Sequence, residues 1–101
     1  MKGKRMKMCP SKDIRVFDTA FYDPNYRDTT HYLDPLERAK GEANIQWSEH
    51  ENYRWVWDNA IKDSVTFIAA YHIASLEYRV VVTAKFTPED LTYYYIRFGA
   101  A

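Results

Sequence analysis

The chain has 101 residues, 47% of them apolar, with only three Gly and four Pro, which fits one folding domain and excludes a low-complexity or disordered chain. Its 14 basic and 14 acidic side chains cancel, excluding a uniformly basic nucleic-acid-binding surface, and no run of 18 apolar residues offers a membrane span. One cysteine, Cys9, excludes an internal disulfide and reads as a reducing, cytoplasmic protein.

Residues 1–12 hold Lys2, Lys4, Arg5, Lys7 and Lys12 and no acid, and read as a flexible basic arm. A single domain over 13–101 follows, with all 14 acids against the other nine basic side chains. It opens on "DIRVFDTAFY", a β-branched and aromatic stretch expected to be a strand. Ile14, Val16 and Asp18 would face one way and Arg15, Phe17, Thr19 and Phe21 the other. Asp23-Pro24-Asn25 ends it as a turn, and "NYRDTTHYLD" reads as a polar loop.

Asp34-Pro35 is a helix start, with Asp as N-cap and Pro at the first helical position. The helix "PLERAK" is expected to stop at Gly41, leaving "ANIQW" as a brief strand. Ser48 and Glu51 then match a capping box and predict a helix over 49–62. Tyr53, Val56, Trp57, Ala60 and Ile61 form its apolar stripe, which places Trp57 in the core.

"VTFIAAYHIA" is apolar on both parities, so period alone leaves strand or helix open over Val65–Ala74. "LEYRVVVTAKF" alternates as a half-buried strand, with Val81 the exception, and a strand before it would make a hairpin around Ala74–Leu76. Thr87-Pro88 opens a last helix; Leu91, Tyr94, Tyr95 and Phe98 mark its inner face, and Gly99 closes it. Segregated strands and helices predict an α+β fold, a small antiparallel sheet packed by two or three helices.

Nine Tyr, five Phe and three Trp exceed what a small core takes up, so some are expected at a surface that a partner covers. Trp55 lies about 200° from Trp57 around a helix and cannot share its stripe. Trp and Arg are enriched at interface hot spots, which singles out Arg54 and Trp55, the alternative being a wide helix face wedged between the sheet and the C-terminal helix. Tyr93 and Arg97, four apart on the last helix, share its outer face and complete the candidate partner-binding set.

The chemistry of known catalytic sites is hard to place. His31, His50 and His72 have no metal-ligand spacing, no Gly-rich phosphate loop occurs, and Cys9 has no base at a readable distance. No catalytic residue, metal or cofactor is therefore assigned. The reading is a small cytoplasmic protein-binding module, a regulator or inhibitor of another protein. Asp18, Asp23, Asp28, Glu49 and Glu51 would steer a basic partner surface. Accessory inhibitors from phages and mobile elements share this profile, an analogy of kind without a motif behind it. A homodimer through exposed aromatics is a close relative of this reading. Single-stranded nucleic acid held by the basic arm and the same aromatics is the alternative, less favoured because the charge and the aromatics are separated.

Overall fold

Six elements follow one another in the computed structural model, which describes residues 13–24 and 35–99. They are β1 (Ile14–Tyr22), α1 (Pro35–Ser48), α2 (Tyr53–Asn59), β2 (Thr66–His72), β3 (Glu77–Ala84) and α3 (Pro88–Phe98). The strands make a 3-stranded antiparallel sheet in the order β1-β3-β2, so the α+β class expected from the sequence is the observed one. The basic arm, the polar loop over 25–34, Cys9, Asp28, His31 and the Asp34 cap all lie outside the described residues.

β3 is central because it is the strand with a full apolar face: Tyr78, Val80, Val82 and Ala84 are all buried. Its other face carries Glu77, Arg79, Val81 and Thr83, which are less covered. The open reading of Val65–Ala74 resolves as strand β2, whose Phe67, Ala69 and Tyr71 turn inward while Thr66, Ile68, Ala70 and His72 are exposed. The hairpin expected there closes through Ile73–Leu76, with Leu76 in the left-handed region at φ +56. That conformation is uncommon for leucine, and the Leu76 carbonyl is held by the Asp23 N–H at 2.8 Å. The Tyr71 hydroxyl donates to the Asp23 carbonyl at 2.7 Å, so the end of β1 is pinned to the hairpin from both sides.

β1 departs from simple alternation. Its register with β3 shifts between Arg15 and Phe17, a β-bulge that leaves Val16 as the extra residue. Val16 turns inward, and so does Phe17 beside it; Asp18 is exposed, and Thr19 donates to Gln46 of α1 at 2.7 Å. The expected grouping of Ile14, Val16 and Asp18 is thus corrected. The bulge keeps the carboxylate of Asp18 out of the core that strict alternation would have given it.

Helix α1 corrects a second expectation. It runs through Gly41 to Ser48, so "ANIQW" is helical. Ala39, Ala43 and Trp47 recur every four residues and are buried against the sheet, with Trp47 wholly inaccessible. A mid-helix glycine costs about 1 kcal/mol, less than burying one tryptophan returns. Gly41 is solvent-exposed, and a Cβ there would meet nothing within 4 Å. Gly41→Ala is therefore expected to raise the unfolding free energy by roughly 0.5–1 kcal/mol in urea. A loss of stability would show that α1 does not pass through this position as a helix.

Ser48 is the last residue of α1, donating to the Ile45 carbonyl at 2.6 Å, and is not the cap of the next helix. α2 begins at Tyr53, four residues later than expected, after turns that carry the His50 N–H to Trp47 and the Tyr53 N–H to His50. α3 follows its sequence signals. Thr87 caps the Asp90 N–H, Pro88 is the first helical residue, and Gly99 at φ +85 ends it.

Candidate functional site

Asn52 is the one buried polar side chain among the described residues, 2% exposed, and it ties four elements together. The Trp47 indole N–H of α1 donates to its Oδ1 at 2.8 Å. Its Nδ2 donates to the Val16 carbonyl at the β1 bulge and to the Tyr94 hydroxyl of α3, each at 2.9 Å. His50 Nδ1 lies 3.1 Å from the same Oδ1. Asn52 sits at the N-cap of α2 yet makes no side-chain cap, because its amide is used across the fold. The bulge has a structural reason here: the extra residue leaves the Val16 carbonyl free of the strand ladder to accept that amide.

This network floors a surface groove of about 280 Å³ lined by Arg15, Asp18, His50, Glu51, Tyr94 and Phe98, among others. Arg15 and Asp18 face each other across 3.4 Å, a loose and exposed ion pair. The His50 ring packs edge-on against Phe17 with centroids 5.7 Å apart. Burial raises the Tyr94 hydroxyl above its ordinary pKa of 10.0, opposed in part by the Asn52 hydrogen bond and reinforced by Tyr95. A folded-state pKa above the unfolded one means the stabilisation is complete below about pH 10 and is lost as pH rises through the folded value. In a spectrophotometric alkaline titration Tyr94 is expected to ionise after free tyrosine does. A Tyr94→Phe difference spectrum with an ordinary midpoint would contradict its burial.

A second cluster forms where α2 meets α3. Trp55 stacks on Tyr93 at 5.4 Å with an interplanar angle of 26°, and contacts Phe86, Tyr94 and Phe98 at 5.3–5.9 Å. The structure brings Trp55 and Tyr93 together from 38 positions apart, and Arg97 joins through Phe98, its guanidinium 5.3 Å from that ring. Arg54 is exposed beside Trp55 on α2.

The expected core position of Trp57 is corrected, and Trp55 takes the position wedged against the last helix. Trp57 is 48% exposed, whereas Trp55 is partly buried against the main core. The inward line of α2 runs through Asn52, Val56 and Ala60, so a stripe drawn through apolar residues alone is rotated away from the true one. Tyr95, expected inward, is also exposed; Tyr94 alone of the three α3 tyrosines is buried. Of the steering acids, Asp18 faces Arg15, Asp23 is half-buried, and Glu49 and Glu51 are exposed in the turn before α2.

Sequence reasoning missed Asn52 and the outward Ile96. An Asn two residues after a His, between two helices, carries no pattern of its own. Among the described residues no group of three His, Cys, Asp or Glu could hold a metal ion, and no helix is long and apolar enough to cross a membrane. Compared with protein-family models, curated proteins and solved structures, the chain matches none.

Proposed function

We propose that the domain is a protein-binding module, a regulator or inhibitor that docks through the outer face of α3 and the adjoining edge of α2. One observation carries this reading: Ile96, 78% exposed, stands one turn from Tyr93, 46% exposed, on a helix whose other face already fills the core. Isoleucine and tyrosine left in water gain from being covered, at about 25 cal/mol per Å² of apolar surface buried. Trp55 behind Tyr93 makes the ring a rigid anchor, and Arg54 and Arg97 flank it with charge, the composition of an interface hot spot. The exposed acids Glu49 and Glu51 would steer a basic partner toward the same domain.

The test is capture from extract on the immobilised full chain, with and without nuclease, repeated with Tyr93→Ala and Ile96→Asp. A stoichiometric protein that survives nuclease, and is lost by about tenfold or more in affinity with either variant, is the expected result. Ile96→Asp should melt close to the parent, and Tyr93→Ala should cost only about 1 kcal/mol, since Ile96 is largely exposed and Tyr93 half-exposed. Material that disappears with nuclease and binds with a steep salt dependence would instead favour single-stranded nucleic acid on these aromatics.

A further inference from the structure

We infer that the groove beside the β1 bulge is a binding site for a carboxamide group, with His50 as acceptor and Tyr94 as donor. The inference starts from Asn52, whose two amide atoms are assigned by partners that have only one role each. The Trp47 indole N–H can only donate, and the Val16 carbonyl can only accept. Oδ1 therefore faces Trp47 and His50, and Nδ2 faces Val16 and Tyr94.

Two consequences follow. His50 Nδ1 meets an oxygen that cannot donate, so Nδ1 carries the hydrogen and the neutral ring keeps its lone pair on Nε2. The Tyr94 oxygen accepts an N–H from Asn52, so its own hydrogen points elsewhere and has no other acceptor among the described residues. Tyr94 is 5% exposed, and an O–H left over in so buried a place is a donor waiting for a partner. Both side chains line the same groove, beside Phe17 and Phe98. A donor and an acceptor lining one groove together with two aromatic residues complement a flat group that offers C=O to one and N–H to the other.

Charge points the same way. Asp18 from β1 offsets the charge of Arg15, and Glu51 from the turn before α2 adds a further negative charge at the rim, so the carboxylates around the groove do not favour an anion. The site is separate from the α3 outer face and stands whether or not that face binds a protein.

Benzamide and benzoate share one shape and differ in this pattern, which makes them the probes. With the ¹⁵N-labelled full chain, benzamide should shift the Phe17, Phe98 and Gly99 amide signals saturably, and benzoate should not. Tyr94→Phe and His50→Ala should each weaken benzamide about tenfold; the second variant leaves Asn52 its three buried partners and keeps the test valid should the first fail to fold. N-methylbenzamide separates the two sources of the ligand: if it binds as well, a main-chain amide of a polypeptide fits, and if it does not, a primary amide is required. No saturable shift from either amide, an equal response to benzoate, or a long-range ¹H–¹⁵N spectrum placing the His50 hydrogen on Nε2 would overturn the inference.

Discussion

Asn52→Ala is expected to lower the unfolding free energy by about 3–5 kcal/mol in a urea titration, although it removes one small polar side chain. The residue lies where α1, β1, α2 and α3 converge, and its amide is the partner of the Trp47 N–H and the Val16 carbonyl, both buried. Truncation strands a donor and an acceptor out of reach of water, each at a cost of about 1–3 kcal/mol, and leaves a void besides. Asn52→Leu is the sharper comparison, since it fills the volume and still strands both groups; it should recover little. Asn52→Asp retains an oxygen for Trp47 but sets a second oxygen against the Val16 carbonyl, so it should also destabilise, most at neutral pH, where the carboxylate is charged. A loss below about 1 kcal/mol for alanine would mean that these polar groups find other partners, and that the fold does not depend on this junction.

The same residue explains where the sequence was legible and where it was not. β3 and α3 could be read because each burial pattern is carried by apolar residues in regular period, and α3 has Thr87, Pro88 and Gly99 at its ends. β2 could not be told from a helix because alanine and isoleucine lie on its outward face, so that both parities look apolar. For α2 the stripe was drawn through tyrosine and tryptophan, whereas its inward line begins with a polar Asn52. Burial of that amide is affordable only through partners on Trp47, Val16 and Tyr94, and such partners are invisible in a linear sequence. α1 was cut short for a related reason: a local stop signal at Gly41 is weak beside the tertiary burial of Ala43 and Trp47. The candidate site fared unevenly. Trp55 and Tyr93 do meet, with Trp55 partly buried among four rings and Tyr93 and Ile96 exposed on α3.

The tryptophans give the second large effect and the clearest check on the helix register. Trp47→Ala is expected to cost about 3–5 kcal/mol for the lost volume, with Asn52 Oδ1 left short of a donor in addition. Its ring is wholly buried among Phe17, Tyr53, Trp57 and Phe67, with centroids 4.8–6.3 Å away, so no solvent can fill the space it leaves. A domain of this size holds roughly 5–15 kcal/mol in all, so this variant should lose about a fifth of it or more and melt about 12 °C lower or more. Trp57→Ala should cost only about 1 kcal/mol, because half of that side chain is already in water and its contacts with Trp47 and Tyr53 are on one side. The ratio of the two effects is more informative than either alone. Trp47 reaches the core only if α1 continues as a helix past Gly41, placing residues 39, 43 and 47 on one line. Were Trp57 the costly residue and Trp47 the tolerant one, the helix would have to end at Gly41 after all, and the Asn52 network would lose the indole that fixes its orientation.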